Sequence, residues 1–324
     1  MAQVIDIHTH MFSDRWVELI REHGDENGSL GPNLEMRYRG GSIGRVSPAM
    51  LDWDGRIRAM DKAGVDVAVI SLTAPNVYWG GRAAGAAAAR AVNQDFAAAE
   101  RRHDGRIRWM ASLPWQHAED AVAELRQAQA EGAVGIVTLT NIAGTRPDDP
   151  RYEPIWREIE AMGLPVFIHP TRPAAEVDFG EVPVLANAVG FTFDTTLCFA
   201  RMIFSGFLDR FPRLRMIACH GGGALPFLSQ RFGRAFDAIP QAGANMKEEP
   251  AAYLRRLHYD AVVYDQPTLD FLIATVGAGQ VLYGSDYPFM LGDMAGCLAR
   301  VDALPAAARD QVRGENARRL FNLG

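Results

Sequence analysis

The chain has 324 residues, 48% apolar and 22% charged, an ordinary globular composition that excludes a disordered or fibrous protein and suits one α/β barrel or two smaller domains. A formal charge of −6, with lysine scarce and arginine dispersed, leaves no basic stripe for nucleic acid, and no run of about 18 apolar residues marks a membrane span. The opening Met1-Ala2-Gln3-Val4 lacks the basic and apolar regions of a signal peptide, and Cys198, Cys219 and Cys297 are too few and too scattered for a disulfide framework, so the chain reads as cytoplasmic with buried thiols.

In chain order, the first expected element is a strand over residues 4–10, where the run Val4-Ile5-Asp6-Ile7 ends in His8-Thr9-His10. Residues i and i+2 of an extended chain project to one side, so the two imidazoles point together. Residues 11–50, rich in glycine and arginine, form a connection too long to be ordinary; loops of that length are functional or disordered. A helix over 52–64, acidic at its start and closed by Gly64, leads into a strand over 65–71. The alternation continues with an alanine-rich helix over 83–102, a strand over 107–114, a helix over 117–131, a strand over 133–139, a helix over 151–162 and a strand over 165–170. A second long connection, 170–182, precedes a helical stretch over 183–210. Then come a strand over 215–220, a helix over 225–239, a strand over 257–264, a helix over 267–276, a strand over 281–288 and closing helices over 294–303 and 305–321.

Most of the eight strand runs are apolar throughout, as strands buried on both faces are. Eight strands alternating with helices make the pattern of a (β/α)8 TIM barrel. The expected fold is therefore α/β, a single barrel domain over 1–324, with residues 11–50 inserted over the active-site mouth after the first strand and C-terminal helices closing the chain.

Active sites of this architecture lie at the C-terminal ends of the strands. His8 and His10 end the first strand, His169 the fifth, His220 the sixth and Asp286 the eighth, so residues far apart in sequence fall in one layer. Three imidazoles and a carboxylate suit one divalent ion, zinc before manganese, with an open position for water or substrate; His8, His10, His169 and Asp286 are the expected ligands. His220 is the acid/base candidate, because an imidazole titrates near neutrality, with a fifth-ligand role as the alternative. His258 and Asp260 alternate on the seventh strand and read as structural. Tyr78 and Trp79 follow the second strand and read either as pocket lining or as packing. Gly221-Gly222-Gly223 reads as room for close approach to the site.

The motifs Ile5-Asp6-Ile7-His8-Thr9-His10, Phe167-Ile168-His169-Pro170, Ala218-Cys219-His220-Gly221-Gly222-Gly223 and Gly284-Ser285-Asp286-Tyr287-Pro288-Phe289 are similar to those of the amidohydrolase superfamily. More narrowly, they resemble the branch containing aminocarboxymuconate semialdehyde decarboxylase. The resemblance implies the same four metal ligands, with His220 and Asp286 at the catalytic centre and His220 the residue that polarises or protonates. It also implies that Arg45 binds a substrate carboxylate and that Arg231 enters the site of the neighbouring subunit in a homodimer. A guanidinium fork pairs bidentately with carboxylate; the alternative for each arginine is a solvated surface charge or a structural ion pair. Thr171 stands where the semialdehyde decarboxylase carries tryptophan, and Leu185 and Ala186 replace bulky aromatics. The implied activity is metal-dependent, non-oxidative decarboxylation of a small unsaturated or aromatic carboxylic acid. The alternative is a hydrolase or hydratase whose metal-bound water attacks a lactone, amide or unsaturated diacid.

Overall fold

The apolar, β-branched runs pair side by side in the order in which they are made. In the computed structural model, which describes residues 2–172 and 184–324, β1 (Ile5–His10) is followed by three short strands of the inserted segment, β2 (Ser29–Leu30), β3 (Glu35–Tyr38) and β4 (Gly41–Arg45). The principal sheet continues as β5 (Val67–Ser71), β6 (Ile107–Ser112), β7 (Gly135–Leu139), β8 (Val166–His169), β9 (Met216–Ala218), β10 (His258–Asp260) and β11 (Val281–Leu282). These eight strands pair in parallel in the order β1-β5-β6-β7-β8-β9-β10-β11. The two ends of the sheet meet where β1 runs beside the chain beyond β11. There Thr9 bridges Tyr287 in parallel, Ile7 N–H donates to the Tyr283 carbonyl at 3.0 Å and Asp286 N–H to the His8 carbonyl at 2.7 Å. The result is a nearly closed barrel of eight parallel strands surrounded by helices.

Each face of these strands has its own core. One cluster joins Ile5, Ile7, Val69, Met110, Val137, Phe167, Ile217 and Leu282 to Ala317, Leu320 and Phe321 near the C-terminus. A larger one packs Ile70, Trp109, Ile136, Ile168 and Met216 against the surrounding helices. Both faces are buried, and that is why the strands read as continuous apolar runs. The three cysteines are free and buried, and no helix among the described residues is long and apolar enough to cross a membrane.

The structure departs from the sequence reading at element ends and in the insertion. The strands expected over 257–264 and 281–288 end at Asp260 and Leu282; beyond those points Val262, Val263, Asp286 and Pro288 leave the ladder and line the mouth. The connection expected over 11–50 is folded. Ser13 caps a helix, Asp14–His23, by accepting the Trp16 N–H, and buries Trp16, Val17 and Ile20. The strands β2, β3 and β4 then form an antiparallel sheet. Arg39 and Gly40, both at positive φ, make the two-residue turn that suits a twisted hairpin. The helical stretch expected over 183–210 breaks at Gly206, at φ 70°, into Phe191–Phe204 and Phe207–Arg210, after a widened turn over Ala186–Gly190. Residue 183 and all but the first residues of the 170–182 connection lie outside the described residues. An additional helix, Pro250–Arg256, precedes β10.

Trp156, on the helix Glu153–Met162, is fully buried, stacks 4.7 Å from Trp115 and 5.3 Å from Phe207, and donates its indole N–H to the Pro147 carbonyl at 2.8 Å. Trp156→Ala is expected to cost about 3–5 kcal/mol, read as a lower urea midpoint, with catalysis per folded molecule retained because the residue lies away from the strand ends.

Candidate metal centre

The ends of β1, β8, β9 and the chain beyond β11 bring His8, His10, His169, His220 and Asp286 into one layer, as their order in the sequence predicts. Ligating atoms of His8, His169, His220 and Asp286 all lie within 4.8 Å of one another. Nε2 of His10 joins them at 3.4 Å from Oδ1 of Asp286, the distance at which Nε2 of His8 also stands. Nε2 of His220 faces the other carboxylate oxygen at 3.7 Å.

The outward nitrogens are taken up by the protein. Nδ1 of His8 donates to Oδ2 of Asp260 at 2.6 Å, Nδ1 of His10 pairs with the Ser71 hydroxyl at 3.1 Å, and Nδ1 of His169 donates to the Pro170 carbonyl at 2.7 Å with the Thr73 hydroxyl at 3.2 Å. The inward Nε2 atoms of His8 and His10 and Oδ1 of Asp286 are buried with no hydrogen-bond partner among the described residues. Buried polar atoms are normally paired, and metal-bound imidazoles normally give their second nitrogen to a carboxylate or carbonyl. Converging orphaned imidazole nitrogens and a carboxylate oxygen therefore fit a borderline divalent ion.

Electrostatics point the same way. Burial opposes ionisation of Asp286, yet the facing imidazoles of His10, His220 and His8 hold it well below the usual carboxylate range. Asp260 is likewise lowered, against burial, chiefly by His8. Burial brings His10 down to about 4 and, with the neighbouring imidazoles, His169 well below its ordinary value; both keep free lone pairs at neutral pH. Against the same burial, Asp260 and then Asp286 push His8 up to about 10. Two carboxylates beside the neutral imidazoles of His10 and His169 make a buried place for positive charge, which the proton on His8 answers here and a divalent ion would answer in its stead.

Local backbone aims the side chains. His220 and Asp286 both sit in the left-handed region, at φ 54° and 57°, a conformation rare for residues with a Cβ and concentrated at functional sites. Asp260 holds the first of these turns by accepting the N–H groups of His220 and Gly221, each at 2.9 Å. A Cβ on Gly284 would lie 2.7 Å from Cβ of His8, and one on Gly223 would lie 2.2 Å from the Thr192 carbonyl. Gly223 thus lets the turn approach the helix Phe191–Phe204, while Gly221 and Gly222 give room to Val263 and Tyr259; the sequence reading had all three as room beside the metal centre.

Above the centre lies a cavity of about 990 Å³, reached by His169, His220 and Asp286 and walled by Met36, Ile43 and Arg45 of the insertion together with Phe191 and Phe289. Arg45, on β4, is exposed at this wall. Arg231 is exposed on the helix Leu225–Ala238, outside the cavity wall, and makes no hydrogen bond or ion pair with a described residue. Tyr78 and Trp79 are packing residues, fully buried and away from the wall. His258 is away from the centre and is brought down to about 4 by burial beside Arg215 and Arg319. Asp260 is the functional neighbour that the sequence reading took for structure; its signal was a carboxylate at the end of the seventh strand, level with His220.

Comparison with known proteins agrees along the whole length. The family profile described as Amidohydrolase matches residues 5–323. The 2-amino-3-carboxymuconate-6-semialdehyde decarboxylase of Dictyostelium discoideum is 30% identical over 332 residues, spanning 98% of this chain and 91% of that protein. The gamma-resorcylate decarboxylase of Rhizobium radiobacter is 28% identical, spanning 83% of this chain and 87% of that protein. The crystal structure of 5-carboxyvanillate decarboxylase from Sphingomonas paucimobilis superposes with a TM-score of 0.88 at 27% identity, each chain covered completely.

Removing the carboxylate charge behind His8 by Asp260→Asn is expected to weaken divalent-ion binding about 10–100-fold, measured by chelator competition on protein whose circular dichroism is unchanged. Unaltered affinity would mark Asp260 as packing alone.

Proposed function

The chain belongs to the amidohydrolase family, and from that premise we propose that it is a metal-dependent decarboxylase, a carbon–carbon lyase acting without an oxidant on a small unsaturated or aromatic carboxylic acid. The observation that carries this reading is the buried imidazole–carboxylate centre at the floor of a cavity that Arg45 helps to wall, in a chain whose full-length relatives are named as decarboxylases.

In this reading His8, His10, His169 and Asp286 hold one divalent ion, zinc before manganese. Such an ion supplies Lewis-acid stabilisation of the negative charge that develops during reaction. Arg45 grips a carboxylate with its planar fork. The bond between the substrate carbon and its carboxylate breaks heterolytically, carbon dioxide leaves, and the electron pair stays on the ring or alkene carbon. His220 delivers the proton that this carbon takes up, with Asp286 beside it to orient the imidazole. Residues 11–50 act as an active-site insertion of a single barrel domain, since β3 and β4 wall the cavity.

The partner we propose is a second copy of the chain. Phe227, 78% exposed, stands one turn before Arg231, and Phe193 and Leu197 are exposed on the neighbouring helix; an apolar face around an exposed guanidinium suits a dimer in which Arg231 reaches the other centre. The compartment we propose is the cytoplasm, where three free, buried cysteines are at home.

Alanine at His8 or Asp286 is expected to abolish both bound metal and carbon dioxide release from a panel of carboxylated phenols and unsaturated diacids; full turnover by metal-free variants, or lactone opening with no carbon dioxide released, would overturn the assignment. Arg231→Ala and His220→Ala chains, each inactive alone, are expected to regain part of the activity when mixed and reassembled, and a strictly monomeric wild type in sedimentation would remove the shared-site argument.

A further inference from the structure

Arg56 is a charged side chain buried to 0% exposure that the chemistry above does not use. It lies in the first turn of the helix Trp53–Ala63, where Asp52 caps the start by accepting the Gly55 N–H. Arg58, two residues on, turns to solvent and pairs with Asp52 at 3.2 Å, so the burial of Arg56 is directed and not a general property of this helix. The guanidinium donates to the Thr9 hydroxyl and to the His10 carbonyl, lies 3.5 Å from the Tyr287 carbonyl, and places its central carbon 4.3 Å over the Tyr287 ring. No carboxylate stands within ion-pair distance of it among the described residues, although Asp6 acts on it through space. Burying a guanidinium without a paired carboxylate is expensive, and here the compensation comes from a hydroxyl, a carbonyl and an aromatic face.

Those partners flank the centre on both sides. Thr9 lies between His8 and His10, the carbonyl belongs to His10 itself, and Tyr287 follows Asp286. This is also where the sheet is least continuous, because β11 is two residues long and the ladder has ended before Asp286. Here the join is made by individual contacts: the Ser285 and Asp286 N–H groups reach the His8 carbonyl at 3.1 and 2.7 Å, and the His10 N–H and the Thr9 hydroxyl reach the Tyr287 carbonyl at 2.8 and 3.1 Å. We infer that Arg56 is a positioning residue of the metal centre: its guanidinium clamps the end of β1 to Tyr287 and so fixes the spacing between the His8–His10 pair and Asp286. The inference rests on the reading that those three residues hold the ion.

The test uses the full chain, with zinc as the probe. Arg56→Met keeps length and removes charge and donors, Arg56→Lys keeps charge and loses the fork, and Thr9→Val removes one anchor of the clamp with little change in volume. Arg56→Met is expected to raise the zinc dissociation constant about tenfold or more, with Arg56→Lys and Thr9→Val moving it in the same direction by less. Melting of the metal-free protein should change little, the gain in melting temperature on adding zinc should shrink, and kcat should fall more than KM rises. A zinc affinity for folded Arg56→Met within about threefold of wild type, outside the range expected for a lost supporting contact, would overturn the inference. So would an equal loss of stability with and without zinc, or, where Arg56→Met does not fold, an unchanged zinc affinity in Thr9→Val. Asp286→Ala separates the two claims: retained zinc brings down the ligand reading itself, whereas lost zinc beside an unaffected Arg56→Met brings down the role of Arg56 alone.

Discussion

The Asp286 carboxylate, buried and shared among three imidazoles from two strands, is the constraint on which the layer depends. A carboxylate in so dry a place is costly unless its charge is answered, and here the answer comes from His8, His10 and His220 at 3.4 to 3.7 Å. The chain accepts a left-handed backbone at Asp286 and at His220 to make those meetings. Asp260 extends the arrangement outward, since one carboxylate holds both the far nitrogen of His8 and the backbone of the His220 turn. The charges of Asp286, His8 and Asp260 are thus held by one another.

Barrel and insertion divide the work. The strand ends supply the rigid, acidic floor, and rigid elements hold functional groups more closely than loops do. The β3–β4 hairpin supplies the apolar wall of Met36 and Ile43 and the cationic Arg45. The imidazole–carboxylate layer therefore rests on residues that the sheet cannot move without breaking, and the cavity wall on a surface hairpin that can vary without disturbing the sheet.

Much of this was legible in the sequence, and what was not had physical reasons. Eight buried parallel strands announce themselves as apolar runs, and the polar residues His8, His10, His169, His220 and Asp286 mark the strand ends, where the sheet opens on the cavity. The strand lengths were less legible, because residues 261–263 stay apolar after the ladder has ended and Gly284-Ser285-Asp286 continues the run without a turn signal. The folded insertion was hidden because its strands are two to five residues long and carry glycine and arginine where alternation would show. The positioning partners were hidden for a different reason. The His258-Tyr259-Asp260 alternation fits a structural pair as well as a site residue, and only the packing of β10 beside β9 sets Asp260 behind His8. The reason for the triple glycine, likewise, lies in Val263, Tyr259 and Thr192, which press on the three positions in turn and which no local pattern announces.

The pairing of β1 with the chain beyond β11 has a consequence for how the protein comes into being. Thr9 and Tyr287 are separated by 278 residues along the chain, so the contact that joins the histidine pair to its carboxylate is among the most non-local the fold possesses. Such contacts are expensive to close in a growing polypeptide and form late. During synthesis the first three imidazoles leave the ribosome long before Asp286 does, and the partly made sheet presents β1 as an open edge until the last strand arrives. The imidazole–carboxylate layer therefore cannot be complete until the segment beyond β11 has been made, and the open edge of β1 is covered by that same segment.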